Sequence, residues 1–131
     1  MAIIVFDTNI FIDLLNGCDQ AAIELSSYDQ PIISCITYME LMVGAAKRPF
    51  DKTRITEVLH GIPTVGMGDL LMKQTIEIMS TGILNGKKIK MPDAIIAATA
   101  KQGNAPLVVM TCIRNGPDQH SSSFSARNNC N

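Results

Sequence analysis

The sequence predicts an α/β fold, a three-layer α/β/α sandwich around a small parallel sheet. Three observations carry that expectation. Short apolar runs without polar alternation recur at Ile3-Ile4-Val5-Phe6, Pro31-Ile32-Ile33-Ser34-Cys35 and Leu107-Val108-Val109-Met110-Thr111, the pattern of strands covered on both faces. Between them lie segments of helical periodicity. The two kinds of segment alternate along the chain, which builds helices onto both faces of a parallel sheet.

In chain order, the first run ends at Asp7, and Thr8 or Asn9 is placed to cap a helix with Ile10, Phe11, Leu14 and Leu15 inward. After Asn16-Gly17, Gln20 to Ser27 suggests a second helix with Ala21, Ala22 and Leu25 inward. The second strand follows, with Pro31 tolerated at its start. Ser34 or Thr37 then precedes a helix from about Ile36 to Lys47, and Thr37-x-x-Glu40 has capping-box spacing. Glu40 lies among Tyr38, Met39, Leu41, Met42 and Val43, so its surroundings are expected to be buried, which is costly for an acid unless it is neutralised.

Lys47, Arg48, Lys52 and Arg54 surround Pro49 at the head of a helix reaching about His60, a residue with no second ligand nearby. Ile62 to Val65 reads as a short strand. Asp69 is expected to cap a helix to Ile83 whose apolar face takes in Leu70, Leu71, Ile76, Ile78, Met79 and Ile83. Asn85-Gly86 marks a turn before a basic loop, Lys87-Lys88-x-Lys90. Pro92 and Asp93 suit the first turn of an Ala-rich helix through Ala100. Beyond Thr111 no strand is expected. The polar tail divides the chain into a domain of residues 1–118 and an irregular, poorly ordered segment, 119–131.

The totals narrow the class. A chain of 131 residues makes one domain that buries roughly two-thirds of its unfolded surface. Its net charge of −1 argues against coating nucleic acid through charge alone, but leaves room for an enzyme that holds nucleic acid at one place through metal ions. No apolar run reaches membrane-spanning length, and no signal peptide is legible. Cys18, Cys35, Cys112 and Cys130 lack metal-ligand spacing and read as reduced thiols of a cytoplasmic protein.

Right-handed crossovers bring the carboxyl ends of parallel strands to one edge, where open α/β sheets bind ligands. Asp7 follows the first strand, Glu40 lies just past the second, Asp93 opens a helix and Asp118 comes after the last strand. Carboxylates gathered there repel one another and raise each other's pKa values, and a hard cation such as Mg²⁺ or Mn²⁺ relieves this. Such a site activates water and clamps a phosphodiester. No Gly-rich phosphate loop with Lys, no GxSxG and no Cys/His pairing competes.

Phe6-Asp7-Thr8-Asn9-Ile10-Phe11-Ile12-Asp13-Leu14-Leu15, Ile36-Thr37-Tyr38-Met39-Glu40-Leu41 and Pro92-Asp93-Ala94-Ile95-Ile96-Ala97-Ala98-Thr99-Ala100 resemble, in that order, the motifs of the PIN domain. More narrowly, residues 2–111 resemble VapC-type toxins. The resemblance implies a Mg²⁺- or Mn²⁺-dependent endoribonuclease with metal-binding acids at Asp7, Glu40 and Asp93. It also implies a small cognate antitoxin over the active-site groove and a toxin homodimer.

The family's fourth acid sits in Thr-Arg-Asn-x-x-Asp-Phe. Here Arg114-Asn115-x-x-Asp118 is present, two residues separate Thr111 from Arg114, and Gln119 replaces the Phe. Thr8, Asn9 and Thr111 are candidates to orient the acids or the water. The competing readings are a PIN-like module that binds protein or RNA without cutting, and a metal-dependent phosphatase or DNA nuclease using the same acids.

Overall fold

The computed structural model describes residues 3–103, 106–111 and 123–128, with side chains through Gly103. Its elements are β1 (Ile3–Phe6), α1 (Thr8–Leu15), α2 (Asp19–Ser26), β2 (Gln30–Ser34), α3 (Cys35–Gly44), a 3₁₀ turn (Ala45–Lys47), α4 (Pro49–Leu59), β3 (Thr64–Val65), α5 (Asp69–Leu84), α6 (Met91–Gln102), β4 (Pro106–Thr111) and β5 (Ser123–Asn128). The strands form one sheet in the order β3-β2-β1-β4-β5. The pairs β1–β2, β1–β4 and β2–β3 are parallel, whereas β5 runs antiparallel to β4 from Pro106↔Asn128 to Thr111↔Ser123.

Because successive strand side chains point to opposite faces, β1 feeds two cores. Ile4 and Phe6 join Ile10, Phe11, Ala21, Ile33, Leu41, Ile55 and Leu59 on the side of α1 to α4. Val5 turns the other way, onto Ile96 and Ala100 of α6, and Leu71 of α5 packs with Ile95 and Ala98 beside it. Helices therefore cover both sides of the sheet, the predicted three layers.

Several local expectations need correction. A closing strand exists where the Ser-rich tail suggested none: an edge strand needs a partner for its backbone more than apolar side chains, and β4 supplies that partner. Asp7 itself caps α1, accepting a hydrogen bond from the Thr8 amide at 2.7 Å. Of the two residues expected before α3, Ser34 is the cap, its hydroxyl accepting from the Ile36 amide, so Thr37 lies inside the helix and forms no capping box. The cap of α5 is Gly68, and Asp69 is the helix's first residue.

The inward face of α5 is narrower than its composition suggests. Leu71, Thr75 and Gly82 are buried, but Leu70, Ile76 and Ile83 stand exposed. In α2, Ala22 is exposed, and the buried Glu24 instead accepts a 2.7 Å hydrogen bond from the Tyr28 hydroxyl. Burial and that bond push the Tyr28 pKa up to about 12. Among the described residues no helix is long and apolar enough to cross a membrane.

Candidate active site

The site is built from the ends of three elements. β1 delivers Asp7 at its carboxyl end, and the cap bond to the Thr8 amide fixes the carboxylate against the start of α1. β2 delivers α3, which carries Glu40 in its second turn. Pro92 lies in the first turn of α6, which begins at Met91, and Asp93 follows it in the same turn.

Asp7 is half-buried, and loss of hydration raises its pKa above the ordinary 3.8. The Thr8 amide opposes this rise, while the charges of Asp93 and Glu40 reinforce it. Two acids distant along the chain, Glu40 and Asp93, thus lie within electrostatic reach of Asp7.

Thr8 links two of them. Its hydroxyl donates to Glu40 Oε1 at 2.9 Å and lies 3.1 Å from Thr37 Oγ1. A hydroxyl carries one proton, so with that proton on Glu40 it is Thr37 that donates to Thr8. Thr8 and Thr37 are both buried, and the pair forms a fixed post that aims Glu40. The sequence reading missed Thr37, because a threonine three residues before a glutamate at a helix start has the spacing of a cap. The usable signal was a hydroxyl at an otherwise apolar inward position.

Glu40 is exposed, as are Tyr38, Met39 and Val43, which corrects the expectation of a buried acid: its helix face opens to solvent. A groove of about 370 Å³ begins at Glu40 and runs between Leu15 and Asn16 of α1 and Lys47 and Arg48 before α4. Asn9 is exposed on the first turn of α1. Thr111 ends β4, while Asp118 lies outside the described residues.

Among the described residues, no three Asp, Glu, His or Cys side chains form a group that could hold a metal ion. The donor chemistry nonetheless fits a hard divalent cation: Asp7, Glu40 and Asp93 are oxygen donors of the kind Mg²⁺ and Mn²⁺ take, and the charges of Asp93 and Glu40 on Asp7 are what such an ion would relieve. Glu40 is the member turned aside, toward Thr8.

Comparison with known proteins agrees with this fold. The PIN domain model matches residues 4–112. A chain of a toxin–antitoxin complex from Klebsiella pneumoniae is 33% identical, covering 90% of this chain and 89% of its own, with a TM-score of 0.69. VapBC-1 from nontypeable Haemophilus influenzae is 26% identical over 80% of this chain and 84% of its own, TM-score 0.69. FitAcB from Neisseria gonorrhoeae is 26% identical over 79% and 84%, TM-score 0.68. No curated protein sequence matches. The chain belongs to the PIN domain family. Within that family it is VapC-like, of the kind found in toxin–antitoxin complexes and generally acting as nucleases.

Proposed function

We propose that this chain is the toxin of a toxin–antitoxin pair, an endoribonuclease that hydrolyses RNA phosphodiester bonds with Mg²⁺ or Mn²⁺ held by Asp7, Glu40 and Asp93. The observation that carries the reading is the charge of Glu40 and Asp93 acting on a half-buried Asp7. Bound there, the ion would lower the pKa of a water and stabilise charge on the phosphoryl oxygens. The chain's own residues prepare the site: the Thr8 amide holds Asp7, the Thr8 and Thr37 hydroxyls orient Glu40, and the first turn of α6 presents Asp93. Asp118 is a fourth carboxylate in this scheme, within a nuclease domain spanning residues 1–118.

A small antitoxin is the proposed partner, supported by the structural neighbours, which are toxin–antitoxin complexes. A homodimer is supported by Met72, Ile76 and Ile83, apolar side chains left exposed along α5. RNA as substrate and cysteines without disulfide spacing favour action in the cytoplasm. A second reading, a PIN-like module that binds without cutting, draws on the absence of a closed three-ligand group among the described residues.

Cleavage of a labelled RNA with Mg²⁺ or Mn²⁺, and with a chelator, decides between them. Asp7→Asn keeps a competent helix cap, so the fold is retained. It should lower kcat/KM at least about a hundredfold, the upper end of what losing even an outer-sphere partner of a metal costs. Cleavage at the wild-type rate by folded Asp7→Asn, or cleavage indifferent to chelation, contradicts the reading.

A further inference from the structure

We propose that Lys87, Lys88 and Lys90 form a phosphate-gripping rail that holds single-stranded RNA beside the carboxylate site. This rests on the nuclease reading above and adds the residues that would position its substrate.

A polyanion approaching Asp7, Glu40 and Asp93 meets negative charge, and the whole chain, at −1, offers no general attraction. Positive charge must therefore be local, and rigid enough to set the strand's path. The loop between α5 and α6 meets both needs. All three lysines are exposed, and Lys90 is the residue from which α6 starts, three positions before Asp93. Rail and acid thus sit on one continuous segment.

That segment is pinned. Gly86 takes φ +74°, the left-handed region that favours glycine. The Lys87 amide donates to the Gly82 carbonyl at 2.7 Å, and the Ala94 amide to the Lys90 carbonyl at 3.0 Å. Ile89 lies so close to α5 that a Cβ on Gly82 would stand 2.9 Å from its Cδ1 and 2.9 Å from the Lys87 carbonyl oxygen. The loop backbone is therefore held while its three cationic tips reach into solvent.

In the other basic group the two arginines are already engaged. Arg48 pairs with Asp51 at 3.6 Å, and Arg54 Nη1 donates to the Leu15 carbonyl at 3.2 Å. Among the described residues none of Lys87, Lys88 and Lys90 is in an ion pair. Uncommitted ammonium groups on a fixed loop suit phosphates, which are bound without regard to base identity.

The test uses the full chain with Lys87→Gln, Lys88→Gln and Lys90→Gln combined, which changes exposed side chains only. Two probes are compared, a single-stranded RNA oligonucleotide and a dinucleotide whose only phosphate is the scissile one. For the oligonucleotide, KM should rise about tenfold or more at low salt, and the slope of log affinity against log salt should become shallower by about two, three contacts at ~0.7 each. The kcat should hold, and dinucleotide cleavage should be unchanged. Binding of the oligonucleotide to Asp7→Asn, with and without the lysine changes, reads the grip without cleavage.

If wild type cleaves RNA and the triple variant matches it in KM and salt slope, the rail is wrong while the nuclease reading stands. Equal loss on both probes overturns the rail too, since it would show damage to the site itself. If wild type neither cleaves nor binds RNA, both ideas fall.

Discussion

The two faces of the sheet are packed with different mixtures of side-chain size. On the side of α1 to α4 the core is built from large side chains: Phe6 and Phe11 meet edge to face at 6.2 Å, Tyr28 closes on Phe6 at 5.7 Å, and Ile10, Ile33 and Ile55 fill between them. On the side of α5 and α6 no aromatic ring takes part among the described residues: Val5, Leu71, Ile95 and Ile96 pack with the small Ala98 and Ala100 of α6, and Gly82 of α5 lets the loop into α6 approach closely. Large groups fix an interior by volume, and small ones fix it by letting backbones approach. The first face supplies stability to the domain. The second sets where α6 lies, and hence where Asp93 stands relative to Asp7.

The largest expected effect falls on the bulky face. Phe11→Ala should cost about 3–5 kcal/mol, read as a lower denaturation midpoint with an unchanged slope, and metal affinity of the remaining folded protein should hold. Gly82→Ala tests the other face. An alanine gains up to about 1 kcal/mol of helix propensity, but crowding against a backbone carbonyl costs about 1–3 kcal/mol. Net destabilisation of about 1 kcal/mol is expected, with a larger proportional loss of RNA cleavage because the loop into α6 must shift. A stabilised, fully active Gly82→Ala would break the distinction between the faces.

Smaller still is Thr8→Val, which keeps the shape and removes the hydroxyl that aims Glu40. It should cost about 1 kcal/mol, weaken metal binding, and leave RNA binding by the loop untouched.

Asp7 gives the smallest effect, one of sign. Its folded-state pKa is raised by burial and then by Asp93 and Glu40, so the folded protein holds this proton more tightly than the unfolded chain. Its contribution to stability is therefore present below the ordinary carboxylate range and is lost as pH rises from there through the raised value. Thermal melts of the metal-free protein should show that decline in wild type and a flatter course in Asp7→Asn. Mg²⁺ should recover Tm in wild type alone.

The parts legible in the sequence were those where one force dominates. β1, β2 and β4 are unbroken apolar runs, and only a strand covered on both sides accounts for them. Asp7 and Asp93 were legible as the residue that ends a strand and the acid in a helix's first turn, because local cap and dipole preferences fix both. The closing strand β5 was hidden because its backbone pairing leaves no apolar signature. The inward face of α5 was blurred because Leu70, Met72, Ile76 and Ile83 put apolar residues around the helix, so periodicity alone could not separate a covered side from an open one. Thr37 was misread because its role depends on Thr8, twenty-nine residues away.

The most direct measurement is calorimetric titration of Mn²⁺ into wild type and into Asp7→Asn, Glu40→Gln and Asp93→Asn, each verified as folded. If carboxylates from β1, α3 and α6 hold one ion, every single replacement should weaken binding by at least about tenfold. Wild-type affinity in folded Glu40→Gln or Asp93→Asn would contradict a shared site.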